Sequence, residues 1–224
     1  MKVRIAVFPG TNCDRDALYA LKHNGIKNTD YIWYRKSDLT GVRLLILPGG
    51  FSFGDYLRTG AIAIHSELFR AIPAFIRNGG YVVGICNGFQ MLTEAKLLPG
   101  FLLKNTSKKF ISRMVTLRVE NNETPFTSCF RKGDLVEMPI AHTTGNYTPL
   151  GETVGNNVVF RYCDKNGEVT VKSNPNGSFQ NIAGIIDDTG HIMGLMPHFE
   201  RVSDEFLGTG GIKVIRSIIK NILK

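Results

Sequence analysis

Apolar runs alternate along the first half of this chain with stretches of helical periodicity. A run over residues 4–8 reads as a first core strand, closed by Pro9-Gly10. Residues 13–23 carry a helical pattern, with Asn12 placed to cap its start and Gly25 beyond its end. Further strands are predicted over 30–34 and 44–47, and a glycine-rich loop, Pro48-Gly49-Gly50-Phe51-Ser52-Phe53-Gly54-Asp55, follows. Leu68, Phe69, Ile72, Phe75 and Ile76 mark one helical face, and Pro73 inside it predicts a kink or a split. Gly79-Gly80 ends that helix, residues 81–85 form the next strand, and residues 89–95 begin another helical pattern.

The middle of the chain has a different rhythm. Residues 114–119, 135–139, 158–162 and 168–171 read as short strands separated by turns, with a strong turn at Asn174-Pro175-Asn176-Gly177-Ser178. Core strands return at 182–186 and 192–196. A last helix is predicted over 205–223, with Ile212, Ile215, Ile218, Ile219 and Ile222 on one stripe. Strand and helix in alternation predict an α/β fold: an open, mainly parallel sheet flanked by helices, with a small antiparallel insertion or edge. No repeat, linker or low-complexity tract interrupts the 224 residues, so one domain spanning 1–224 is expected.

Composition narrows the picture only a little. An apolar fraction of 43% is enough for a full core, and no run reaches the roughly 18 apolar residues that a membrane span needs. The N-terminus lacks the cleavage pattern of a signal peptide. The four cysteines, Cys13, Cys86, Cys129 and Cys163, have no metal-binding spacing, which points to free thiols in a reducing cytoplasm and to no metal. The net charge of +8 includes a cluster of Lys104, Lys108, Lys109 and Arg113. No aromatic platform accompanies that cluster, so it reads as a solvated or partner-facing surface and not as a nucleic-acid site.

The chemistry begins at Gly84-Ile85-Cys86-Asn87-Gly88-Phe89-Gln90, which joins a predicted strand to a predicted helix. A cysteine between two glycines at such a junction has the layout of a nucleophile elbow. The turn lifts the thiol above the sheet, and the first amides of the next helix point at it. A thiol nucleophile needs a base and a group to orient that base. Among His23, His65, His142, His191 and His198, the last stands out because it follows a core strand directly. Sites in parallel sheets gather at the carboxyl ends of strands, so His198 and the elbow should share a rim. If residues 198–200 are extended, Glu200 points the same way as His198 and can orient the imidazole. Gly49 and Gly50 follow another strand at that rim, and the Gly50 and Asn87 amides would form a two-donor oxyanion hole. Plainer readings exist: a buried structural cysteine, a surface His-Glu pair and an ordinary Gly-Gly turn. Cys13, Cys129 and Cys163 read as structural or incidental, His142 as either a site-lining or an ordinary loop residue, and His23 and His191 as surface turn residues.

The elbow and the late Pro197-His198-Phe199-Glu200 resemble the class I, triad-type glutamine amidotransferases, whose fold is flavodoxin-like. Longer stretches narrow the resemblance. Phe8-Pro9-Gly10-Thr11-Asn12-Cys13-Asp14-Arg15-Asp16, residues 48–61, Thr124-Pro125-Phe126 and residues 174–178 are similar to the glutaminase subunits of phosphoribosylformylglycinamidine synthase. The resemblance implies that Cys86 attacks the side-chain amide of glutamine and that His198, oriented by Glu200, protonates the departing ammonia. Gly50 and Asn87 would hold the oxyanion, and Gly49 and Gln90 would bind substrate. Water activated by His198 would then release glutamate from a thioester. Ammonia would pass to a separate large synthetase subunit, bridged by a small third subunit, to convert formylglycinamide ribonucleotide to formylglycinamidine ribonucleotide in purine synthesis. ATP and magnesium would belong to that partner, and this chain would need no cofactor of its own.

Two positions depart from the family pattern. Similar enzymes carry proline at position 199; with Phe199 there, that restraint on His198 is gone. They also tend to have His-Gly-Glu-Gly where this chain has His142-Thr143-Thr144-Gly145, so the acidic side chain is missing at Thr144. Two competing functions remain on sequence grounds: an amidotransferase subunit serving another synthase, and a non-catalytic regulatory module on the same fold. The intact Cys86, His198 and Glu200 argue against the second.

Overall fold

The computed structural model describes residues 1–150 and 155–224. Among these residues, nine strands form one sheet. In chain order they are β1 (Lys2–Val7), β2 (Thr29–Trp33), β3 (Val42–Leu47), β4 (Tyr81–Ile85), β6 (Ile111–Val119), β7 (Leu135–His142), β9 (Val158–Cys163), β10 (Ile182–Ile186) and β11 (Ile192–Leu195). A separate two-stranded sheet pairs β5 (Phe101–Leu103) with β8 (Asn146–Thr148). The spatial order of the large sheet is β2-β1-β3-β4-β11-β10-β9-β6-β7. The first five strands in that order run parallel; from β11 onward every neighbour is antiparallel. The sheet is thus parallel with an antiparallel edge, and the edge continues the same sheet.

The parallel strands read as continuous apolar runs because helices bury them on both faces. Val3, Ile5, Leu44, Leu45, Ile46, Val82, Val83 and Leu195 are all buried. The flanking helices are α1 (Asp14–His23), α2 (Glu67–Arg77), α3 (Asn87–Glu94) and α4 (Ile212–Asn221). The four central parallel strands β1, β3, β4 and β11 lie side by side, so their carboxyl ends form one rim. The loops that leave this rim carry Cys13, Gly49, Gly50, Cys86 and His198.

Several predicted elements change. Helix α1 is capped by Cys13 rather than Asn12, and no side chain bonds its first amides. Helix α2 runs unbroken through Pro73, which lies on its exposed face. Residues 168–171 form no strand. There the Asp164 carboxylate accepts from Asn166 and Glu168 N–H, and Thr170 and Ser173 bond each other. Such local side-chain bonds compete with ladder pairing. The last helix starts at Ile212, because Asp204 accepts from Phe206 and Leu207 N–H and folds residues 204–208 into a turn. Strands β5 and β8 have no counterpart in the sequence pattern. Strand β7 runs three residues past Pro139, and those residues reach the site. No helix among the described residues is long and apolar enough to cross a membrane.

Candidate active site

The elbow forms between β4 and α3. Cys86 has φ 50° and ψ −103°, a conformation that non-glycine residues rarely adopt and that a surrounding structure must enforce. Gly88 shows what enforces it. A Cβ there would stand 2.0 Å from the Leu47 carbonyl oxygen, so α3 can start against β3 only with glycine at this turn. The Cys86 N–H donates to Leu195 O at 2.8 Å, which locks the elbow to β11. Cys86 is 5% exposed.

His198 follows β11 and is buried. Its Nδ1 pairs with Glu200 Oε1 at 2.6 Å, and both side chains are within 2% of full burial. The pairing does not come from an extended segment: residues Phe199–Arg201 make a 3₁₀ turn that brings Glu200 round to the ring. Phe199 is fixed by packing. Its ring is 1% exposed, and its carbonyl lies against Gly211, where a Cβ would come within 1.9 Å of the oxygen. Burial opposes a charged His198, but the Glu200 carboxylate and the Cys86 and Cys13 sulfurs outweigh it and hold the imidazole well above its usual range. Its Nε2 has no hydrogen-bond partner among the described residues. Such an atom is free to serve a reacting group.

Gly49 brings these groups together. A Cβ at this position would meet His198 Cε1 at 2.7 Å, Cys13 Sγ at 3.0 Å and Cys86 Cβ at 3.5 Å. The missing side chain is therefore the space in which imidazole and both cysteines converge. Gly50 packs on the backbone of Gly10, Thr11 and Asn12, and bridges Thr11. Asn87 acts as a hub: its Oδ1 accepts from Ser52 N–H at 3.1 Å, and its Nδ2 donates to Gln90 Oε1 at 3.0 Å. Nδ2 also lies 3.5 Å from Asp55 Oδ1. Burial pushes the Asp55 carboxyl up to about 6, against the pull of the Asn87 amide. Gln90 donates from Nε2 to Thr144 O at 2.6 Å, so its amide is engaged on both sides.

Sequence reasoning missed two participants. Cys13, read as structural, lies with its sulfur within 4.8 Å of ligand atoms of His198 and Glu200. The far edge strand β7 forms a wall of the site. Pro139 O accepts from His198 N–H at 2.9 Å, Ala141 O lies 3.7 Å from Cys86 Sγ, and Thr144 O, just beyond β7, receives the Gln90 amide. The sheet must curl for its last strand to return to this rim. Alternation along β7 was the available signal: Val136, Met138, Ile140 and His142 are all buried.

His142 is a buried wall residue. Asn105 Nδ2 donates to the His142 and Lys109 carbonyls, leaving Asn105 Oδ1 to accept from Gly145 N–H and from His142 Nδ1. Burial, and then the charge on His198, lowers His142 to about 4. His191 stacks on Tyr81 at 4.4 Å, away from these groups, and His23 stacks on Tyr19. Lys104, Lys108, Lys109 and Arg113 are exposed.

Comparison with known proteins bears on the family and the fold. Residues 1–209 match the CobB/CobQ-like glutamine amidotransferase domain. A phosphoribosylformylglycinamidine synthase subunit PurQ from Moorella thermoacetica is 48% identical, covering 98% of this chain and 95% of its own length. The PurQ subunit of Methanosarcina barkeri is 47% identical, over 99% of this chain and 98% of its own. Among solved structures, a chain of "Structure of PurLQS from Thermotoga maritima" superposes with a TM-score of 0.90 at 44% identity, covering 100% of this chain and 99% of that one. A putative GMP synthase subunit from Thermoplasma acidophilum, at 15% identity and a TM-score of 0.64, covers 98% of this chain and 93% of its own, and shares the fold. The chain belongs to the glutamine amidotransferases, within the PurQ family of phosphoribosylformylglycinamidine synthase subunits.

Proposed function

We propose that this chain hydrolyses glutamine to glutamate and ammonia, and hands the ammonia to an ATP-dependent synthetase that forms formylglycinamidine ribonucleotide in purine synthesis. Its 224 residues act as one amidotransferase domain in the cytoplasm. ATP and magnesium belong to the large synthetase subunit, and a small third subunit bridges the two.

The observation that carries this reading is the convergence at Gly49 of the Cys86 elbow and a His198 ring already paired to Glu200. The Cys86 thiolate attacks the amide carbon of glutamine. The Asn87 and Gly50 amides receive the developing oxyanion. His198 gives its proton to the leaving ammonia, and Glu200 keeps Nδ1 engaged so that Nε2 faces the reaction. The same nitrogen then activates water against the thioester. Gly49 and Gln90 contact the substrate side chain, Gln90 from the first turn of α3.

Cys86→Ala tests the assignment. In the reconstituted complex this variant should lose glutamine-dependent synthesis while synthesis from free ammonia persists. Undiminished use of glutamine would overturn the nucleophile.

A further inference from the structure

Cys13 borders Gly49 twice. Its backbone N–H donates to Gly49 O at 3.2 Å, and its sulfur fills the space beside the absent Gly49 side chain. The sulfur is held from the other side. Arg201 Nη2 donates to Cys13 Sγ at 3.1 Å, and Arg201 Nε donates to Asp16 Oδ2 at 3.1 Å. Asp16 sits in the first turn of α1, directly after Cys13 caps it. Arg201 directly follows Glu200, and its N–H donates to His198 O at 3.3 Å. One guanidinium therefore ties the start of α1 to the turn that carries both the base and its orienter.

Cys13, His198 and Glu200 present ligand atoms close enough to suggest a cage for a soft metal ion. The arrangement argues against that use, because a cation at the sulfur would meet the Arg201 guanidinium. Holding the imidazole is the function that the arrangement suits. Cys13, Glu200 and Cys86 all converge on His198, whose charge also acts on His142 of β7.

We propose that Cys13 is a positioning residue: its sulfur, clamped by Arg201 and Asp16, keeps the His198 ring turned towards Cys86. The inference rests on the glutaminase reading above. Proline at position 199 would restrain the histidine from its own backbone. Here the Cys13–Arg201–Asp16 clamp and the burial of Phe199 do so from outside.

The test is glutamine hydrolysis by the complex with its synthetase, measured as kcat and KM across pH. Cys13→Ala should lower kcat by roughly ten- to a hundredfold, the range expected when a reacting group is misplaced. KM should stay near wild type. The limb of the pH profile that reports the imidazole should move to lower pH, because a neighbour that favours its charged form is gone. Cys13→Ser, which keeps a small polar atom in place, should recover most of the rate. Arg201→Lys retains the charge but cannot hold Asp16 and Cys13 together, so it should repeat the kcat loss and pH shift in milder form. If Cys13→Ala does not fold, as judged by melting and co-purification with the synthetase, Arg201→Lys carries the test.

Wild-type kcat and pH profile in the folded variants would overturn the proposal, as would a loss expressed only in KM. Cys86→Ala run in parallel separates the two readings. If it hydrolyses glutamine, the Cys86 nucleophile on which the reading above rests falls. If it alone is inactive while the Cys13 and Arg201 variants match wild type, only the clamp falls.

Discussion

The two halves of the large sheet bring different kinds of atom to the site. The parallel half delivers side chains from the loops at its strand ends: Cys86 after β4, His198 after β11, and the Gly49 gap after β3. The antiparallel half delivers main-chain oxygens from an edge strand and the loop after it: Pro139 O, Ala141 O and Thr144 O. In one half the geometry depends on residue identity at a few tight turns. In the other it depends on where a strand lies. Damage to the first should therefore appear in the chemical step, and damage to the second in substrate binding and in stability.

Gly49→Ala is the strongest way to break that contrast. The new methyl group would meet His198 Cε1 and Cys13 Sγ, both side-chain atoms, so the fold should survive while the imidazole is displaced. Glutamine hydrolysis should fall about a hundredfold in kcat, or roughly 3 kcal/mol of barrier, with melting temperature little changed. A variant that hydrolyses glutamine normally would show that the ring does not depend on this gap.

Asn105→Ala probes the other half. It strips two carbonyls of a donor, and Gly145 N–H and the His142 ring of an acceptor. Orphaned buried groups of this kind cost about 1–3 kcal/mol, which a denaturant titration would register. The wall should loosen, raising KM for glutamine several-fold while kcat holds. A fall in kcat as deep as that of Gly49→Ala, with KM steady, would erase the distinction between the halves.

The acid response of His142 sharpens it further. An unfolded histidine titrates near 6.5, whereas His142 in the folded chain is held at about 4. Between those values the unfolded chain takes up a proton that the folded chain refuses. Stability should then fall as pH drops through that window, by at most about 1.4 kcal/mol per unit from this residue, and should not depend on it above 6.5. His142→Gln removes the titrating group, so the melting temperature of this variant should decline less steeply over the same range. Parallel declines would assign the acid sensitivity elsewhere.

The parallel half was legible because burial on both faces leaves uninterrupted apolar runs, such as Val42–Leu47, and because a strained elbow needs glycine on either side of its cysteine. The triad of Cys86, His198 and Glu200 could be proposed from those signals. The antiparallel half was harder to read for local reasons. Pro139 looked like the end of a strand, yet an edge strand tolerates a residue without an N–H, and β7 continues to His142. The first residues of β6 carry no burial pattern, since Ser112, Arg113 and Met114 are all exposed. Cys13 was overlooked because its partners, Arg201 and His198, lie at the opposite end of the chain. No local pattern records a contact over that separation.

The carbonyl wall has a consequence for how such a site can change. An oxygen of the main chain is present whatever residue supplies it, so residues 139–144 can be recoded without withdrawing the atoms that line the pocket, provided the strand keeps its path. Position 144 is a case in point: the Gln90 amide bonds the main-chain carbonyl of Thr144, an atom that any residue there would supply. A motif search, which reads side chains, is blind to this surface. A library randomised over its outward positions would be expected to preserve turnover, in a region where alignment alone would predict divergence of function.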